Sequence, residues 1–122
     1  MIEKKAHIQK EERAILVGMV KKDETEQQVQ EYLDELQFLA ETAGAVTIKR
    51  FTQKMQRPDS KTFLGKGKLE EIKDYIIKRG DIDLVICDDE LTGAQIINIE
   101  NAIKKKTIDR SDLILDIFAS RA

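Results

Sequence analysis

Two hydrophobic periodicities alternate along this chain, and that alternation restricts the fold more than any other feature. Ala14-Ile15-Leu16-Val17-Gly18-Met19-Val20 is an unbroken apolar run of strand length with charged flanks, the pattern of a strand covered on both faces. Thr25 and Gln28 then have the spacing of a capping box. They open a helix whose apolar stripe reads Val29, Tyr32, Leu36, Leu39 and Ala43, with Gly44 placed for a left-handed C-terminal cap. Residues 45–52 carry the β-branched content of a second strand.

A polar loop over 53–61 holds the single proline, Pro58, and Thr62-Phe63-Leu64 reads as extended. A helix is expected from about Lys68 to Gly80, turning Leu69, Ile72, Tyr75 or Ile76, and Ile77 inward. Leu84-Val85-Ile86-Cys87 is a third strand, and Thr92 with Gln95 repeats the capping-box spacing before a helix carrying Ile96, Ile99 and Ile103. Lys106–Asp109 is a short fourth strand. Strands separated by helices pair in parallel through right-handed crossovers. The predicted class is α/β: an open, mostly parallel four-stranded sheet in the order 2-1-3-4, flanked by helices on both faces.

Residues 13–110 form this domain, preceded by a flexible segment over 1–12. From residue 111 an apolar helix begins in which Leu113, Ile114, Ile117 and Phe118 need burial, yet no stop signal follows. It reads as the start of a helical subdomain cut short, or as a surface completed by self-association. With 122 residues and one cysteine, Cys87, the chain has neither a disulfide nor a second thiol for a metal site. The lone histidine, His7, is remote from Cys87 in sequence, so a Cys–His nucleophile is not expected. No apolar run approaches the roughly 20 residues of a membrane span, and the cytoplasm is the expected compartment.

Charge is distributed unevenly. Between Lys49 and Lys68 stand Lys49, Arg50, Lys54, Arg57, Lys61, Lys66 and Lys68 against a single acid, Asp59. The window therefore carries +6 in a chain of net charge −2. A basic island on an acidic body suits an anionic partner, nucleic acid first, although a solvated loop has the same signature. Within the island, Gly65-Lys66-Gly67-Lys68 combines flexible backbone, a helix start and two cations, a place where a phosphate can sit. It is not a GxxxxGK[ST] loop, so nucleoside-triphosphate binding in that manner is not expected. Phe51 and Phe63 flank the island and are either base-stacking platforms or core. Asp88 and Asp89 end the third strand, where open α/β sheets place ligands. They read as weak Mg²⁺ candidates or, more simply, as acids facing the positive start of the next helix. No catalytic constellation emerges.

Taken together, four segments resemble the N-terminal domain of the HflX family of ribosome-associated GTPases. They are Arg13–Gly18; Arg57-Pro58-Asp59-Ser60-Lys61-Thr62-Phe63-Leu64-Gly65-Lys66-Gly67-Lys68-Leu69-Glu70-Glu71; Asp88-Asp89-Glu90-Leu91-Thr92-Gly93-Ala94-Gln95; and Ile108-Asp109-Arg110 with the helix to Ala122. The family pattern has proline where Ser60 stands, and an arginine where Ile97 stands. The resemblance implies binding to the large (50S) ribosomal subunit and its ribosomal RNA, with splitting or rescue of stalled ribosomes by the full protein. It also implies GTP and Mg²⁺ on a GTPase domain outside this sequence, contacts with that domain and its helical neighbour, and ATP as a possible ligand of Gly65, Lys66, Gly67 and Lys68.

Overall fold

The computed structural model describes residue 8 and residues 11–121. Four strands, β1 (Arg13–Val20), β2 (Val46–Lys54), β3 (Leu84–Cys87) and β4 (Lys106–Asp109), alternate with four helices. The helices are α1 (Glu26–Thr42), α2 (Lys66–Arg79), α3 (Gly93–Ile103) and α4 (Arg110–Arg121). All strand pairs are parallel, as the alternation predicts, and the order is β2-β1-β3-β4. Strand β1 is central, and its seven residues from Ala14 to Val20 are buried. Its odd positions Ile15, Val17 and Met19 join the core under α2 and α3. Ala14, Leu16 and Val20 face the other core, which also holds residues of α1 and α4.

Both capping boxes form: Thr25 Oγ1 accepts from Gln28 N, and Thr92 Oγ1 accepts from Gln95 N. Gly44 and Gly80 end their helices with φ of 103° and 77°, a conformation that costs glycine least. Within α1 Val29, Leu33, Leu36 and Ala40 are buried; of the expected stripe Val29 and Leu36 are buried and Leu39 and Ala43 pack half-buried against the same core, but Tyr32 is 43% exposed. Leu33, one residue or about 100° of helix beyond Tyr32, takes the inward position and fits the dry interior without a hydroxyl to satisfy.

Helix α2 begins two residues earlier than expected and buries Leu69, Ile72 and Ile76, whereas Ile77 is 67% exposed. One residue beyond Ile76 lies about 100° round the helix, off the inward stripe. Helix α4 starts at Arg110 because Asp109 and Asp112 cap reciprocally: Asp109 Oδ1 accepts from Asp112 N, and Asp112 Oδ2 from Asp109 N. Leu113 is buried and Ile114 and Ile117 half-buried, but Phe118 is 70% exposed, so the expected burial holds only on one side of α4. Of the segment expected to be flexible, residues 1–7, 9 and 10 lie outside the described residues. Ile8 is buried in the α1–α4 core, its N–H donating to Asp116 Oδ1 at 3.1 Å. No described helix is long and apolar enough to cross a membrane.

Candidate nucleic-acid interface

The basic window folds into three separate environments. On β2, adjacent side chains leave opposite faces of the strand, so Lys49 and Arg50 part company. Arg50 turns to α1, donating to Gln30 Oε1 (2.8 Å), Gln37 Oε1 (3.0 Å) and Asp34 Oδ1 (2.7 Å). Its guanidinium is thereby engaged inside the domain. Lys49 goes to the α2 side, its ammonium 5.7 Å from the ring centres of both Phe51 and Tyr75. Lys68 lies 5.9 Å from the Phe51 ring and 2.9 Å from Glu71 Oε1. Phe51 and Phe63 are 6% and 2% exposed. They are core residues, which removes base stacking on either ring.

The third environment is the loop between β2 and α2, and it is locked. Asp59 Oδ1 accepts from Lys61 N (2.7 Å) and Thr62 N (3.0 Å), closing an Asx turn. Those backbone hydrogen bonds, Lys61 first, hold the Asp59 carboxyl below the usual carboxylate range. From α3, Gln95 Nε2 donates to the Asp59 carbonyl and Asn98 Nδ2 to the Lys61 carbonyl, both at 2.8 Å. From β2, Gln53 Oε1 accepts from Gly65 N at 2.9 Å. Phe63 is not extended, as expected, but left-handed at φ 63°, because burial of its ring and the Asp59–Phe63 pairing turn the chain back.

Arg57 and Lys61 on this loop, with Lys54 at the end of β2 and Lys66 at the start of α2, are exposed, and none makes an ion pair among the described residues. Lys54 lines a hollow of about 260 Å³ with Lys21 and Lys22 of the β1–α1 turn. Lys61 and Lys66 line a groove of about 610 Å³ between α2 and α3, together with Lys73 and Lys104. Lys21, Lys22, Lys73 and Lys104 fall outside the sequence window and meet it only through the fold. The one available signal for Lys73 was its spacing of seven residues from Lys66 on the same helix.

Lys66, Gly67 and Lys68 form the first turn of α2, with Gly65 as its N-cap and no side-chain cap. A Cβ at Gly65 would stand 2.8 Å from Gln53 Nε2, so this glycine makes room for the amide that locks the loop. A Cβ at Gly67 would meet nothing within 4 Å.

Asp88 and Asp89 are each matched by a cation. Arg110 Nη1 donates to Asp88 Oδ1 at 2.5 Å while its Nη2 holds Glu35 of α1, and Asp89 is paired with Lys21. Burial pushes the Asp88 carboxyl up to about 6, against the pull of Arg110. Neither acid lies in the first turn of α3, so their setting is a cross-element ion-pair cluster rather than a helix-end interaction. No group of three or more potential metal ligands occurs among the described residues. Cys87 is fully buried, and desolvation raises its thiol well above the ordinary range, which makes it an inert core residue.

The family described as GTP-binding GTPase N-terminal matches residues 30–119. The chain is 53% identical over 111 residues to the GTPase HflX of Flavobacterium psychrophilum, covering 91% of this chain and 27% of that protein. It is 36% identical over 111 residues to the GTPase HflX of Escherichia coli, covering 91% of this chain and 25% of that protein. The chain thus spans about a quarter of the length of the curated relatives it matches. Among solved structures, a GTP-binding protein from the hyperthermophilic archaeon Sulfolobus solfataricus in complex with GDP superposes with a TM-score of 0.63 at 27% identity. That match covers 88% of this chain and 30% of the archaeal one. A complex of SsGBP with GDP gives 0.67 at 25% identity, over 91% of this chain and 30% of that one. With the parallel fold, the locked basic loop and these matches together, the chain belongs to the HflX family of GTPases, whose N-terminal domain it carries.

Proposed function

We propose that this domain helps to dock its parent protein on the large ribosomal subunit by gripping ribosomal RNA phosphates. The observation carrying the reading is the set of four cations without an ion pair among the described residues, Lys54, Arg57, Lys61 and Lys66, on and at the two ends of a loop pinned by Asp59, Gln53, Gln95 and Asn98. A backbone fixed before contact loses little conformational entropy on binding, and each phosphate contact releases counterions. On this reading Lys49 and Lys68 assist from the flank, and Arg50 contributes only to stability. GTP hydrolysis with Mg²⁺, and ribosome splitting or rescue in the cytoplasm, belong to the remainder of the parent protein. ATP at Gly65, Lys66, Gly67 and Lys68 draws less support, because the Gly65 N–H is taken by Gln53 and Lys68 is paired with Glu71.

Co-sedimentation with purified large ribosomal subunits, at low and at moderate salt, tests the proposal. Pelleting at low salt that fades with added salt, and fails for the Lys54→Glu/Arg57→Glu chain, is expected. Absence of pelleting at low salt, or pelleting indifferent to the charge reversal, overturns it.

A further inference from the structure

The groove between α2 and α3 is longer than the loop that opens it. Its hollow of about 610 Å³ shares Lys73 and Lys104 with a second one of about 250 Å³, which reaches Gly80 and Lys105 at the far end. The two run beside the 14 residues of α2, a distance of about 21 Å at 1.5 Å per residue. The floor is aliphatic: Leu69, Ala102, Ile76 and Ile103, with Ile77 67% exposed where the groove opens. The rim is basic. Lys61, Lys66, Lys73, Lys104 and Lys105 outnumber Asp59 and Glu70, and the Asp59 carboxylate is already occupied by the loop's own N–H groups.

An apolar floor under a cationic rim has a chemical complement. Duplex RNA presents phosphates and no aliphatic surface, and the residues lining the groove include no aromatic ring on which an unpaired base can stack. An amphipathic helix with an aliphatic stripe and acidic flanks satisfies both requirements, laying its stripe between α2 and α3 and its carboxylates against the lysines. Ile77, off the inward stripe of its own helix, then acts as an anchor rather than a misplaced core residue.

We infer that the α2–α3 groove is a docking site for an acidic amphipathic helix of a protein partner. It is separate from the RNA contact proposed above except at Lys61 and Lys66, and neither reading depends on the other.

Phage display of an unbiased library of about 14 residues against the intact 122-residue chain tests the inference, followed by titration of the enriched peptides. The expected peptides are acidic, with aliphatic residues at i, i+4 and i+7. Their affinity falls about tenfold or more for Lys73→Glu and, separately, for Ile77→Glu. Ile77 is solvent-facing, so its variant folds even where a rim reversal disturbs α2. Binding of an RNA duplex of about 20 base pairs is unchanged by both variants and lost in Lys54→Glu/Arg57→Glu. The inference is overturned by no enrichment over the unselected library, by neutral or basic peptides, or by peptides indifferent to both substitutions. It is overturned equally if the two substitutions abolish RNA binding, which makes the groove an RNA surface, or abolish self-association, which makes a second copy the occupant.

Discussion

At the carboxyl end of the sheet, the loop after β2 and the turn after β3 handle charge in opposite ways. The β2–α2 loop spends backbone and amide hydrogen bonds on its own rigidity and leaves its cations free. The β3–α3 turn engages two of its three acids with cations, Asp88 with Arg110 and Asp89 with Lys21, while Glu90 is exposed. One region is fixed by hydrogen bonds, those to the Asp59 carboxylate among them, with its cations left open to an anionic partner; the other is fixed by ion pairs and closed. A tally of charge along the sequence marks both regions, and only the pairing separates a surface for binding from a clasp between elements.

The largest test of that contrast is Asp88. Its side chain is 8% exposed, and the folded state holds its proton up to about 6 against an ordinary value near 4. The unfolded chain therefore ionises first, so the folded state loses stability as pH rises from about 4 to about 6, and the loss persists above. Two pKa units correspond to roughly 3 kcal/mol as an upper figure. Asp88→Asn is expected to be more stable than the parent at pH 7, by up to that amount, and to lose the decline between pH 4 and 6. Urea unfolding at several pH values checks it, and an unchanged pH profile would break the closed half of the comparison.

Arg110→Ala comes next. It leaves Asp88 buried beside nothing and releases Glu35, for an expected loss of about 2 kcal/mol at pH 7. In the double variant Asp88→Asn/Arg110→Ala the loss shrinks, because the buried carboxylate is gone; a loss equal to the sum of the two singles would show the clasp to be uncoupled.

A smaller effect is expected from the lock itself. Asn98→Ala removes the bond to the Lys61 carbonyl and costs about 1 kcal/mol. Amide exchange at Lys61 and Thr62 should quicken while the β1 amides keep their protection. Uniform acceleration across the sheet would mean the loop is not independently braced.

Much of this architecture was legible because short-range chemistry carries it. The apolar run of β1, the Thr25–Gln28 and Thr92–Gln95 boxes and the left-handed glycines each act within one or two turns. What escaped depended on distant partners. Phe63 is left-handed because a core built from distant elements takes its ring. For the candidate site, the sequence window named the loop cations but grouped them with Arg50. Strand alternation alone already places Lys49 and Arg50 on opposite faces, a signal that charge counting overrides. Lys104 joins the surface only through the packing of α2 on α3, and for Lys73 the one local signal was its spacing of seven residues from Lys66.

The central claim is that free charge on the locked loop, and not total charge in the window, binds the anion. Its most direct test measures the salt dependence of binding to an RNA duplex of about 20 base pairs for the parent chain, for Lys54→Gln/Arg57→Gln and for Arg50→Gln. Each lost phosphate contact lowers the log–log salt slope by roughly 0.9. The loop variant should bind more weakly with a slope reduced by up to about 1.8, while Arg50→Gln, though less stable, should keep the parent's affinity and slope. Equal losses from both variants would contradict the account.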